Sequence, residues 1–334
     1  MRLGPMLRAV ACLFACASLP LHAQLFRAYV SGSGLDANPC TLQQPCRLLP
    51  AALTAVASGG EIWMLDSANY NTGQVNVTKS VTILAIPGVV GSVVATGGGH
   101  AISINTAGVK VALRNLVIAH LTSSQNGVNL LSGSELHVAG CEISGMSVGI
   151  NASAPNSKVT VENTVLRDLN TGFFADDSVV ASLAGVHATG SSAGVMVSDG
   201  ARVTVANSVV SGNVYGVWVY TATGTGTARA VVEGSSLTGN VIGALAQTAA
   251  AGGVAHLSVS RSDVSHNQTS GFQGFEAASA TTVMVSDANT VSHNAVGFQF
   301  GSGPPLILSR GNNMLTFNYV ADVTGGSLTA LAAQ

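Results

Sequence analysis

Charge is what this sequence has least of: Asp, Glu, Lys and Arg make up 8% of 334 residues, and the formal net charge is −2. With hydrophobic residues at 47%, so little charge excludes an intrinsically disordered chain, which needs the opposite balance. The near-neutral sum gives no electrostatic footprint for nucleic acid or an anionic membrane, so neither is expected as a partner. Aromatic residues reach only 5%, and the chain is rich instead in Val, Ala, Ser, Thr, Asn and Gly, with 39 glycines. That mixture favours strands and tight turns over helices. After residue 23 no apolar run approaches the ~20 residues of a membrane helix, so no transmembrane segment is expected in the mature chain. Too little chain follows the repeats described below for a translocating barrel.

The first 23 residues read as a signal peptide. Arg2 and Arg8 give a positive start, Ala9 to Leu19 an apolar stretch, and Leu21-His22-Ala23 a cleavage site before Gln24. Cys16 is most simply part of this discarded peptide, because the apolar run continues past it and Phe14 is bulky for a lipoprotein site. The mature chain is then secreted or periplasmic, and it keeps Cys40, Cys46 and Cys141. An oxidising compartment lets Cys40 and Cys46 pair across the loop 41–45, since no His or second Cys pair lies nearby to make a metal site. Cys141 falls on an inward position of the repeat and reads as a small buried side chain.

Self-similarity decides the fold. A Gly followed by an apolar residue recurs at Gly127, Gly149, Gly172, Gly194, Gly216, Gly243, Gly271 and Gly297, at intervals of 22, 23, 22, 22, 27, 28 and 26. Between these glycines an alternating apolar strand is broken by one Asn or Gly, at Asn115, Gly140, Asn163, Gly185, Asn207 and Gly234. Both residue types tolerate the left-handed backbone of a sharp bend. A third signal places Asn213, Asn240 and Asn294 three residues, and Asn267 four, before a repeat Gly. Stacked coils would bring these amides about 4.8 Å apart, within reach of a hydrogen-bonded ladder.

Counting from the bend separates inside from outside. Ile118, Ile143, Leu166, Ala188, Val210, Leu237 and Val264 form one inward column, and Leu116, Cys141, Thr164, Val186, Ser208, Ser235 and Ser262 a second, of mostly smaller side chains. One coil cannot bury such a stripe alone, whereas a stack can. The frame of a leucine-rich repeat is absent, and a propeller needs a period of ~40 residues. The expectation is an all-β single-stranded right-handed parallel β-helix, with coils of roughly 22 residues.

An exposed end of the stack needs a cap. Residues 50–57, closed by Gly59 and Gly60, read as a short amphipathic helix lying across a first coil that begins near Ile62. The expected organisation is a signal peptide at 1–23, an N-terminal cap with this helix at 24–60, coils at 61–320 and a C-terminal cap or tail at 321–334.

The opening Tyr29-Val30-Ser31, Asp36-Ala37-Asn38-Pro39-Cys40-Thr41 and Pro45-Cys46, followed by the Ala-rich helix and Gly59-Gly60-Glu61-Ile62, resembles the start of secreted right-handed β-helix proteins of the pectate-lyase-like superfamily. The resemblance runs from about residue 29 to the end. It implies export and a ligand, polysaccharide or cell-surface glycan, along the outer face of the strands that carry the repeat Gly. That superfamily holds lyases, hydrolases, epimerases, adhesins and proteins without activity, so the resemblance does not choose a function.

The second residue after each repeat Gly gives an outward column Asn129, Asn151, Phe174, Met196, Trp218, Leu245, Gln273 and Gln299; the fourth gives Leu131, Ser153, Asp176, Ser198, Tyr220, Gln247 and Phe275. Phe174, Met196, Trp218, Tyr220 and Phe275 make this face apolar and suit stacking on sugar rings. A covering loop or partner chain would explain them equally well. Beside them lie Asp176, Asp177 and Asp199. Stacked carboxylates repel, which raises one pKa or invites a cation such as Ca²⁺, and paired carboxylates serve glycoside hydrolysis. Asp at a strand-to-turn junction is also ordinary turn chemistry.

Lyase chemistry is less supported, because no basic residue stands on this face; the nearest is Arg202. His187, His266 and His293 read as solvated turn or surface residues. The coils starting at Gly216, Gly243 and Gly271 insert small-residue segments such as 221–228, which wall a groove or are neutral loop growth. Three functions follow: contact with polysaccharide, a polysaccharide hydrolase or lyase using the Asp cluster, or a structural and adhesive surface solenoid.

Overall fold

A computed structural model describes residues 24–121, 125–224 and 226–331 of the chain. The segment read as a signal peptide, and Cys16 with it, lies outside the described residues. Each full coil passes through three parallel sheets in turn. Sheet 1 has eleven strands, from Val75–Val77 to Ala321–Thr324, and carries the repeat glycines. Sheet 2 has thirteen, from Leu25–Val30 to Thr329–Ala330, and sheet 3 has eleven, from Ala68–Asn69 to Met314–Thr316. Every strand pairs in parallel with the strand one coil away, as Lys158–Glu162 does with Glu135–Ala139 and with Val180–Ala184.

The bend between sheets 2 and 3 sits where Asn and Gly recur. Asn115, Asn163 and Asn207 have φ of 57°, 46° and 50°, and Gly140, Gly185 and Gly234 have 63°, 64° and 56°. Later coils keep the conformation with other residues, Arg261 at 48° and Ala288 at 53°. A second left-handed column marks the turn from sheet 3 to sheet 1, running through Gly190, Gly212, Gly239, His266 and His293.

The column from Ile118 to Val264 is fully buried, and the one from Leu116 to Ser262 is buried as well. The smaller column also bonds from coil to coil: the Val186 N–H donates to Ser208 Oγ at 3.1 Å, Ser208 N–H to Ser235 Oγ at 3.1 Å, and Ser235 N–H to Ser262 Oγ at 3.2 Å. Asn289 and Asn313 continue this line.

The amide ladder has the same logic and one more rung than the spacing showed. Asn213 Nδ2 donates to Asn240 Oδ1 at 3.1 Å, Asn240 to Asn267 at 3.2 Å, Asn267 to Asn294 at 2.9 Å, and Asn294 to Asn318 at 3.1 Å. The backbone N–H of each of these donors bonds the same Oδ1, and its Nδ2 also reaches back to a carbonyl of the preceding coil, as Asn240 does to Val210 O at 3.0 Å.

This arrangement explains the repeat Gly. A Cβ on Gly243 would lie 2.8 Å from the Gly271 carbonyl oxygen and 2.9 Å from Asn267 Nδ2, and one on Gly149 2.6 Å from the Gly172 oxygen. Only a residue without a side chain lets the next coil and its amide approach so closely.

The helix spans Leu49–Ala55, shorter than the sequence suggested, because Val56 is already extended and pairs with Leu25. Gly59 and Gly60 therefore lie within the strand Val56–Met64 rather than closing the helix. The stack also begins earlier than Ile62: Leu25–Val30 is the edge strand of sheet 2, so the cap supplies a rung of its own. At the far end, Ala321–Thr324 and Thr329–Ala330 extend sheets 1 and 2, and Met314, Phe317, Tyr319 and Val320 of the last coil are exposed. The Cys40–Cys46 disulfide forms and Cys141 is a buried free thiol, as expected.

A polar clasp ties the cap to the first coil. Asp66 accepts from Ser31 Oγ at 2.7 Å, from the Gly32 N–H at 2.8 Å and from the buried Tyr70 hydroxyl at 2.5 Å. Burial alone would raise the Asp66 carboxyl, but these three hydrogen bonds overcome it and hold the group below its ordinary value. Its contribution to stability is complete above the unfolded carboxylate pKa of about 4 and drains away as pH falls from there through the folded value. Acid unfolding followed by circular dichroism should therefore show a shallower loss of stability below about pH 4 for Asp66→Asn than for the wild type.

Interior amides should matter more than bend amides. Asn240→Leu leaves the Asn213 N–H and Nδ2 without their acceptor and should cost about 3 kcal/mol in urea unfolding. Asn207→Gly keeps the left-handed bend and should cost less than about 1 kcal/mol.

Candidate functional site

The outer face of sheet 1 is built by register. Asn129, Asn151, Phe174, Met196, Trp218, Leu245, Gln273 and Gln299 pair in unbroken sequence across eight coils, as the spacing predicted. The face is not fully solvated. Phe174, Met196 and Trp218 are half-buried, while Asn129, Leu245 and Gln273 are buried. At the N-terminal side Asn129 Oδ1 accepts from both Asn126 Nδ2 and Asn151 Nδ2 at 2.9 Å, which makes that end a closed amide cluster.

The middle of the face is aromatic. Trp218 stands between Tyr215, at a ring-centroid distance of 4.7 Å, and Tyr220, at 5.2 Å, with tilts of 44° and 46°. Its indole N–H is buried and has no hydrogen-bond partner. Tyr215 escaped the sequence reading because strict alternation puts it on the side of buried Val217. The ladder instead skips Gly216, pairing Tyr215 with Ile242 and then Val217 with Ala244. That break at the glycine turns the Tyr215 ring onto Trp218.

Phe174 lies two coils from Trp218, roughly 10 Å at the usual strand spacing, with Met196 between them. Phe275 lies two coils beyond Tyr220, past Gln247, and packs against Gly301. The five residues singled out from sequence thus share one face, but only Trp218 and Tyr220 touch as rings.

Asp176 follows the paired strand end at Ala175, and Asp177 sits at the turn with φ of 51°. The Asp177 N–H donates to the Asp199 carbonyl at 3.0 Å, so the two turns are stacked neighbours. Asp176 is half-buried, and burial raises its carboxyl above the ordinary range, helped by the charges of Asp177 and Asp199 and opposed by a hydrogen bond with Ser153. One oxygen each of Asp176 and Asp199 is buried without a hydrogen-bond partner. Arg202, the nearest base in sequence, is exposed on sheet 2 and pairs into that sheet. Among the described residues no three His, Cys, Asp or Glu side chains are grouped as a metal ion needs.

His266 and His293 are neighbours: their rings stack at 4.8 Å with 1° between planes, on the second bend column. His187 is exposed on sheet 3, apart from them.

A concavity of about 650 Å³ on the outer face of sheet 2 had no signal in the repeat pattern. Lys110, Glu135, His137, Lys158, Thr160 and Glu162 line it. Lys110 pairs with Glu135 at 2.9 Å and His137 Nε2 lies 3.1 Å from Glu162. Such a groove depends on how side chains of successive coils lean together, which alternation alone does not encode.

Residues 67–226 match the family model of the right handed beta helix region. The chain folds as a right-handed parallel β-helix. No curated protein matches it. Among solved structures it resembles pectate lyase Pel9A at 14% identity and a TM-score of 0.54, over 93% of this chain and 82% of that one. XylC in complex with xylose aligns at 8% identity and a TM-score of 0.59, over 80% and 69% of the two chains. The A-module of the mannuronan C-5 epimerase AlgE4 of Azotobacter vinelandii aligns at 13% and 0.57, over 82% and 91%. At these identities the likeness is one of fold.

Proposed function

We propose that this β-helix protein is exported and contacts polysaccharide through the outer face of sheet 1, with Trp218 as the central ring contact. The observation that carries this reading is the Tyr215–Trp218–Tyr220 group, half-buried in the middle of an outward column and holding an indole N–H without a partner. Tilted aromatic rings offer flat apolar surface to the C–H face of a sugar, and an unmet N–H offers a hydroxyl its partner. Gln273 and Gln299, each with a buried side-chain oxygen lacking a donor, extend the same column with amides. The named activities of solved neighbours, a pectate lyase and a mannuronan epimerase, point to the same ligand class.

On a glycan array, read with and without Ca²⁺, the protein should retain at least one polysaccharide. Trp218→Ala should weaken that binding about tenfold, the worth of one well-packed ring contact. An empty array, with Trp218→Ala altering self-association only, would favour instead the adhesive solenoid that docks this face on another protein.

A catalytic reading has one observation in its favour, the raised carboxyl of Asp176. Burial shifts Asp176 toward the protonated form that a general acid needs, and the charges of Asp177 and Asp199 push it the same way. Hydrolysis fits better than elimination, since Arg202 belongs to another face. Asp176→Asn should abolish release of reducing ends from the retained polysaccharide while leaving its binding intact.

Export rests on the signal-peptide pattern and on a disulfide of the kind oxidising compartments sustain. Intact mass of the protein recovered outside the cytoplasm should correspond to a chain starting at Gln24. A retained Met1 would overturn it.

A further inference from the structure

We infer that sheet 2 carries a second binding track, for a linear anionic polysaccharide whose charged groups lie along Lys158, Arg202 and Arg229. One outward column of sheet 2 runs Lys110, Glu135, Lys158, Val180, Arg202, Arg229 and His256, each Cα-paired with the next. The column changes character along its length. At its N-terminal end Glu135 stands between Lys110 and Lys158 and is ion-paired to Lys110. Beyond Lys158 no acid enters the column, and Lys158, Arg202 and Arg229 are all exposed and have no carboxylate within 4.0 Å among the described residues.

Two guanidinium groups on adjacent coils, about 4.8 Å apart at the backbone, repel each other. A fold that holds them in register without a counter-ion gains when an anion arrives. The imidazole of His256 registers the same field: burial lowers its pKa first and Arg229 lowers it further. Alongside the cations run the hydroxyls of Thr160, Ser182 and Thr204, two residues further along each strand. Cations flanked by hydroxyls match a sugar polymer that bears sulfate or carboxylate groups, because guanidinium binds either group bidentately and hydroxyls meet ring hydroxyls. The coil rise of ~4.8 Å is also about the advance of one pyranose ring along an extended chain, so one sugar faces one coil.

Nucleic acid is the competing polyanion, and its recognition as a single strand needs aromatic platforms for the bases. Phe, Tyr and Trp occur in sheet 2 only in its first two strands, Leu25–Val30 and Val56–Met64, several coils away from Arg202. This track is independent of the sheet 1 reading, and its test separates the two.

The probes are dextran sulfate, polygalacturonate, neutral dextran and single-stranded DNA, titrated calorimetrically into the mature protein at low and at physiological salt. At least one of the two anionic polysaccharides should bind, weakening as salt rises, and neutral dextran should not compete for that binding. Arg202→Gln with Arg229→Gln should weaken binding at least tenfold, whereas Arg310→Gln, which removes a charge elsewhere, and Trp218→Ala should not change it. Equal weakening by Arg310→Gln would reduce the effect to net charge and overturn the track. So would unchanged binding by the double variant, or DNA binding as tightly as the polysaccharides. Both arginines are exposed, and an unchanged thermal midpoint of the double variant confirms that any loss belongs to the ligand.

Discussion

Register between coils is the constraint on which everything else rests, and buried side-chain hydrogen bonds hold it. A parallel stack of short strands has little in its backbone to forbid a slip, because each strand offers the same N–H and C=O groups to a partner moved by two residues. Asparagine amides remove that freedom. From Asn240 to Asn318 each Oδ1 takes two donors from the coil before it, Asn213 Oδ1 takes the Ser191 N–H, and each Nδ2 that continues the ladder also grips an earlier carbonyl. A slipped coil would bury several of these groups unpaired, at about 1–3 kcal/mol each. The ladder is polar where the coils are long: its Asn rungs fall in the stretch whose glycines are 26 to 28 residues apart, and Met146, Leu169 and Ser191 hold the same place in the shorter coils.

How far this could be read from the sequence follows from what repeats. The bend residues, the two inward columns and the amide spacing recur coil after coil, so a period exposed them without any knowledge of packing. What does not recur stayed hidden. Arg261 and Ala288 occupy left-handed bends with residue types that carry no turn signal. Asn318 belongs to the ladder, but Asp322 stands near the position where a repeat Gly marked the earlier rungs. Tyr215 needed the break in alternation at the repeat Gly, which does recur but is a backbone event that residue types do not mark, and the Asp66 clasp is a single event at the junction with the cap. The helix end was misplaced because Val56 is fixed by pairing with Leu25, a contact some thirty residues away in sequence.

With the inward columns repeated from coil to coil, most variety falls on the outward ones, and the outer faces of sheets 1 and 2 diverge in chemistry. Sheet 1 sets amides at both ends of an aromatic centre, nearly free of charge except at the turn that holds Asp176, Asp177 and Asp199. From Lys158 onward sheet 2 keeps cations, hydroxyls and acids in separate columns: Lys158, Thr160 and Glu162 of one strand belong to three different lines. Such segregation is a direct product of the pleat, since residues two apart share a face and residues one coil apart share a line. A single substitution therefore changes one point on one line and leaves the fold almost untouched.

That geometry also bears on how a polymer is gripped. A pocket concentrates its contacts on one ring, whereas a line of side chains one coil apart offers many weak contacts to a chain lying along the solenoid axis. Each contact alone is worth little in water, as exposed charge pairs and single rings show. Linked along one polymer they reinforce one another, because the first contact raises the effective concentration of the next. Affinity on such a face should then climb with polymer length until the line of matching side chains ends. On sheet 2 that line is bounded at one end by Glu135, which satisfies Lys110, and at the other by Val283 beyond His256. The charge pattern thus fixes the length of the track, while the stacking of coils fixes its direction.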